Sequence, residues 1–149
     1  MRTCIYVDGY NLYYGRLRGT GYKWLDVVAL FSDMVWRIVE KKTDVNLALS
    51  MYRDANRGLV EQVVLVSNDS DAEPTLSALR QDFPELKLGV VMPLPHATDT
   101  VKKGRPASSA LQDLAHWCRT YIRDDELARA QLPVQVPTRK KPARKPAHW

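Results

Sequence analysis

The sequence predicts an α/β fold built on a mostly parallel sheet, and three observations carry that expectation. Short apolar runs of strand length recur at residues 3–7, 63–66 and 86–91. Helical patterns separate them, and strands alternating with helices give a parallel sheet with its helices on both faces. Acids stand directly after the first two runs, Asp8 after one and Asp69 and Asp71 after the other. Such a sheet gathers the carboxyl ends of its strands along one edge, where ligands bind.

Taken in order, Ile5, Tyr6 and Val7 end at Asp8-Gly9 as a buried strand would, and residues 11–17 can form a helical turn. From Leu25 a helical stripe of Val27, Val28, Phe31, Val35 and Ile38 follows Asp26. Its second half, 34–39, is rich in β-branched residues and fits a strand equally well. Thr43 reads as the N-cap of a helix to about Asn56, with Val45, Leu49 and Tyr52 along one face and Gly58 as the stop. The polar run 67–71 leads into a helix to about Gln81, with Ser70 and Glu73 at capping-box spacing and Pro74 in its first turn. After the third strand, closed by Pro93 and Pro95, Ser108 or Ser109 opens a helix to about Cys118. A short strand at 120–122 and a last helix at 124–131 complete the domain.

Composition narrows the class. The chain has 149 residues, 45% hydrophobic and 26% charged, the profile of one globular domain. No apolar run reaches the roughly 20 residues of a membrane span. The start, Met1-Arg2-Thr3-Cys4, is unlike a secretory leader, and Cys4 and Cys118 make no disulfide framework, so a cytoplasmic protein is expected. The formal net charge of +5 resides in the end of the chain: Arg139, Lys140, Lys141, Arg144 and Lys145 follow Pro137 with no acid among them. The division is a domain over 1–132 and a basic, Pro-rich, disordered tail over 133–149. A basic tail beside a neutral body suits either a polyanionic partner or simple solubility.

If the first two strands are parallel neighbours, Asp8, Asp69 and Asp71 converge. Carboxylates that crowd together raise one another's pKa unless a cation sits among them. Hard oxygen donors of this kind suit Mg²⁺ or Mn²⁺, which share phosphate oxygens with a substrate. Zinc-ligand spacing, a Walker-type phosphate loop and a nucleophile elbow are all missing. Each acid also has an ordinary use: Asp8, Asp69 and Asp71 can cap the turns after them, and Asp44 suits a helix first turn. Topology alone does not bring Asp44 to the acidic edge.

These residues carry a family signature. Tyr6-Val7-Asp8-Gly9-Tyr10-Asn11-Leu12-Tyr13-Tyr14-Gly15 closely resembles the opening motif of NYN domains, within the PIN-like nuclease superfamily. Lys42-Thr43-Asp44-Val45-Asn46-Leu47-Ala48 resembles the second acidic motif and Val64-Leu65-Val66-Ser67-Asn68-Asp69-Ser70-Asp71 the third. The resemblance extends over about residues 3–122. It implies a Rossmann-like, PIN-type three-layer fold and metal-dependent ribonuclease activity. By motif position, Asp8, Asp44, Asp69 and Asp71 would be metal and catalytic carboxylates, with Asn11 assisting. Relatives of this type carry a longer stretch before the second motif, whereas here only residues 16–43 connect the two. A strand lost from that stretch would narrow the sheet and expose an edge, which would let two copies pair.

The expected function is a Mg²⁺- or Mn²⁺-dependent endoribonuclease, with Lys102, Lys103 and Arg105 in the loop after the third strand holding RNA phosphates. Tyr10, Tyr13 and Tyr14 could stack bases, although core packing is expected for at least two of them. The competing expectation is a catalytically weak RNA-binding or protein-interaction module of the same fold. A phospho-acceptor receiver domain ranks below both, because it needs paired acids after the first strand.

Overall fold

A computed structural model describes residues 1–34, 37–41, 43–99 and 104–149, with the backbone alone at 40 and 41. Five strands form one sheet: β1 (Thr3–Asp8), β2 (Arg37–Lys41), β3 (Gln62–Val66), β4 (Lys87–Val91) and β5 (Trp117–Arg119). Their order is β2-β1-β3-β4-β5, and every adjacent pair is parallel. The helices are α1 (Gly9–Leu12), α2 (Val27–Leu30), α3 (Asp44–Asn56), α4 (Glu73–Asp82), α5 (Ser109–Leu114) and α6 (Asp124–Arg129), with a π-turn at Tyr13–Leu17. The fold is a Rossmann-like α/β three-layer fold.

The period-2 alternation of the strands sorts the core into two halves. Cys4 and Tyr6 of β1, with Val63 and Leu65 of β3, pack against Leu47 and Met51 of α3 and Leu76 and Leu79 of α4. Their neighbours Ile5, Val7, Val64 and Val66 face the other way, onto Leu12, Leu17, Phe31 and Leu127. Because β1 and β3 are buried on both faces, they read as continuous apolar runs.

Several elements depart from the sequence expectation. The helix from Leu25 is one turn, capped by Asp26 Oδ1 accepting the Ala29 N–H at 2.9 Å, and the chain re-extends as β2. β-Branched Ile38 and Val39 find a free edge of β1 there, so the strand alternative prevails. On α3, Val45, Leu49 and Tyr52 do share a face, but it is the exposed one; the buried face is Leu47, Met51 and Ala55. The Ser70–Glu73 capping box gives way to Asp69, whose Oδ1 accepts the Asp71 N–H at 3.2 Å and caps a 3₁₀ turn ahead of α4.

Toward the carboxyl terminus, α5 stops at Leu114 and the last sheet strand lies at 117–119 rather than 120–122. Gly89 explains that register. It pairs with Trp117, and a Cβ at Gly89 would meet the indole at 2.2 Å, so only glycine lets the ring lie across β4. Segment 133–149, expected as disordered, contains a short antiparallel ladder between β6 (Gln135–Val136) and β7 (Ala143–Arg144). Trp24 anchors its approach by donating to the Pro133 carbonyl at 2.7 Å and stacks edge-on with Trp149 at 6.0 Å. Among the described residues, no helix is long and apolar enough to cross a membrane.

Candidate acidic site

Strand order 2-1-3-4-5 places its switch point between β1 and β3, where the chain turns from one side of β1 to the other. Asp8 closes β1, and Ser67 to Asp71 follow β3, so both acidic stretches meet in the crevice there.

Asp44 arrives by a different route. β2 runs parallel to β1 with Lys41 opposite Asp8, so β2 also ends at the carboxyl edge. α3 begins three residues later, capped by the Thr43 hydroxyl accepting the Asn46 N–H at 3.4 Å. Asp44, its first residue, therefore stands at the acidic edge. Topology left this open only while residues 34–39 were undecided between helix and strand.

The four acids line one cavity of about 160 Å³, together with Ser67 and an apolar floor of Leu47, Met51 and Leu65. Hydrogen bonds fix its inner wall. Asp8, buried, accepts the Asn11 N–H through Oδ1 at 2.9 Å and the Ser67 hydroxyl through Oδ2 at 3.0 Å. Ser67 Oγ in turn accepts the Asp69 N–H at 3.1 Å. The capping uses expected of Asp8 and Asp69 are thus real, and they hold both carboxylates at the cavity rather than away from it.

The outer wall is looser. Asp44 and Asp71 are exposed and accept no hydrogen bond among the described residues. The Asp44 carboxyl is held above the ordinary carboxylate range, first by its own partial burial and then by the charges of Asp8, Asp69 and Asp71. All four acids therefore share one electrostatic neighbourhood. Among the described residues, no three Asp, Glu, His or Cys side chains already converge on a single metal centre. The donor set is nonetheless entirely hard carboxylate oxygen, with a net repulsion that a divalent cation would relieve.

Asn11 does not line this cavity. Its Oδ1 accepts the Asn68 N–H at 2.9 Å, bridging the ends of β1 and β3, and its side chain borders an adjoining groove. Arg105 lines that same groove, which meets the acidic cavity at Asp69. Lys102 and Lys103 lie outside the described residues. Of the three tyrosines, Tyr13 packs on the core, whereas Tyr10 and Tyr14 are exposed; core packing thus claims one, not two.

Two residues of the site escaped the sequence reading. Ser67 links Asp8 to Asp69, and buried Asn68 donates to the Pro106 carbonyl at 3.0 Å and accepts the Ser108 N–H at 2.8 Å. Asn68 thereby straps the 106–108 loop beside the acids. Their signal was position alone: both follow a buried strand directly.

No family model matches the chain. It is 28% identical to the 6-hydroxy-3-succinoylpyridine 3-monooxygenase HspA of Pseudomonas putida, over the whole of this chain and 75% of that protein. The aligned span is 243 residues, so the relative carries inserted sequence that this chain lacks. Among solved structures it is similar to a Vibrio parahaemolyticus protein of unknown function, with a TM-score of 0.53 and 17% identity over 83% of this chain and 94% of the other. That likeness is one of fold: both are Rossmann-like α/β domains.

Proposed function

We propose that the chain is an NYN-type, Mg²⁺- or Mn²⁺-dependent endoribonuclease. The observation that carries the reading is the single cavity shared by Asp8, Asp44, Asp69 and Asp71, where partial burial and then the charges of the other three raise the Asp44 pKa. Asp8 and Asp69 are fixed by hydrogen bonds and form the preset half of a cation site. Asp44 and Asp71, exposed on the same cavity, would supply the remaining carboxylates to such an ion. When bound, such an ion polarises a phosphodiester and lowers the pKa of a water nucleophile. Asn11 keeps the ends of β1 and β3 in register, and Arg105, with the basic tail, draws RNA to the acidic edge.

Calorimetric titration with Mn²⁺ and cleavage of an end-labelled single-stranded RNA test the proposal together. Wild type is expected to bind Mn²⁺ and cut, and Asp69→Asn to do neither while unfolding normally. RNA binding without cleavage over a full range of Mg²⁺ and Mn²⁺ would leave the RNA-binding module instead.

The alignment of the whole chain to 75% of a monooxygenase, with the apolar floor of the cavity, favours a second reading: a small aromatic substrate whose ring rests on Leu47, Met51 and Leu65. Loss of 6-hydroxy-3-succinoylpyridine on incubation with oxygen and a two-electron reductant would support it over RNA hydrolysis.

A further inference from the structure

The groove beside the acids has a feature that the cation site does not explain. Tyr10 and Tyr14, four residues apart, leave 69% and 49% of their surfaces exposed. Their rings nevertheless stack on each other, with centroids 4.4 Å apart and planes tilted by 39°. Tyr13 braces Tyr14 edge-on from the core side at 5.0 Å, and the Arg18 guanidinium lies 5.4 Å from the Tyr14 centroid. These rings are held in place. Gly15 lets the π-turn approach the strand end so closely that a Cβ there would meet the Pro93 carbonyl oxygen at 2.6 Å.

The groove they flank has a volume of about 430 Å³, within the range of ligand clefts. Arg18 and Arg105 line it, and among the described residues neither has an acidic partner. Asp69 belongs to both this groove and the acidic cavity, so the two are continuous. Exposed aromatic rings beside guanidinium groups that no acid neutralises are what an unpaired nucleotide requires: a ring to stack on and cations for its phosphates. A base inside a duplex has no free face to offer.

We propose that this groove binds an unpaired nucleotide adjacent to the phosphate at the acids, its base stacked on Tyr10 and Tyr14 and its flanking phosphates held by Arg18 and Arg105. This inference rests on the nuclease reading for the position of the cut, but its binding test is independent of cleavage.

The test is fluorescence anisotropy of the full chain with a labelled oligoadenylate in EDTA, at about 0.15 M salt, where attraction to the tail is screened. Tyr10→Ala and Tyr14→Ala are each expected to weaken binding about tenfold. Tyr10→Phe keeps the ring and should restore it to within about twofold, and a blunt duplex should bind far more weakly than the single strand. Wild-type affinity in both alanine variants overturns the proposal, as does equal affinity for duplex and single strand. If wild type binds neither, the proposal falls and the tyrosines become a protein-docking face. Lost binding in the tyrosine variants with no cleavage by wild type in Mn²⁺ keeps the groove and removes the nuclease. Cleavage with unaltered binding in those variants does the reverse.

Discussion

Asp8→Ala and Asp8→Asn separate what this carboxylate does for the fold from what its charge does for a cation. Asp8 is buried and accepts two hydrogen bonds, the Asn11 N–H at 2.9 Å and the Ser67 hydroxyl at 3.0 Å. Alanine removes both. Loss of the cap on α1 costs about 1 kcal/mol, and a buried hydroxyl left without its acceptor costs about 1–3 kcal/mol. The expected loss for Asp8→Ala is thus about 2–4 kcal/mol. Asparagine keeps Oδ1 for the cap and presents an N–H to Ser67 Oγ, which has a lone pair beyond the one given to the Asp69 N–H. Its cost should stay near about 1 kcal/mol. Manganese affinity follows a different order, because asparagine cannot supply the charge: both variants should lose at least about a hundredfold. Urea unfolding followed by circular dichroism gives the first quantity and calorimetry the second. An Asp8→Ala protein as stable as wild type would refute the bracket between β1 and β3. Undiminished Mn²⁺ binding by Asp8→Asn would remove Asp8 from the cation site.

Four further outcomes follow from the same geometry. The raised pKa of Asp44 means that its ionisation is disfavoured in the folded state, so its stability contribution is complete below its ordinary value of 3.8 and is lost as pH rises through its higher folded value. Metal-free Asp44→Asn should then melt above wild type at neutral pH, and Mn²⁺ should stabilise wild type only. Arg16 is buried, donating to the Ile122 carbonyl and pairing with Asp99 and Asp124; Arg16→Met should cost about 3–5 kcal/mol, or roughly 6–20 °C in Tm by calorimetry. Gly89→Ala should destabilise by about 1–3 kcal/mol through the Trp117 ring, and Trp117→Leu in the same chain should recover part of that in urea melts. Glu126 titrates below its ordinary 4.5: burial pushes its carboxyl up, and the Arg119 guanidinium with the Arg123 N–H overcomes that. Its contribution is therefore present above 4.5 and lost as pH falls through the folded value, so the stability gap between wild type and Glu126→Gln should close in acid.

The central layer was legible because β1 and β3 are buried on both faces and must be apolar throughout, which composition reports directly. The edges were not. β2 packs on one neighbour only, so its sequence carries half the signal, and residues 34–39 fitted helix or strand equally. That ambiguity hid the route by which Asp44 reaches the site. β5 was misplaced because its position is decided by the absence of a side chain at Gly89, 28 residues away, and no local pattern encodes that space. On α3, Val45, Leu49 and Tyr52 marked the helix by sharing a face, but that face is exposed and burial falls on Leu47, Met51 and Ala55. Among the site residues, the acids stood out by charge and by their place after strands. Ser67 and Asn68 act through hydrogen bonds to groups 59 and 40 residues distant, which a single chain does not announce.

The position of β2 at the rim gives the acidic site an unequal anatomy. Asp8, Asp69 and Asp71 hang from two interior strands, while Asp44 alone follows an edge strand, β2, through α3. Trimming the connection ahead of β2 therefore puts one donor at risk and leaves the other three anchored. On the proposed cation site, a lineage could shorten that connection and drift in metal affinity without dismantling its pocket, and fraying at the rim would displace Asp44 before the domain itself unfolds.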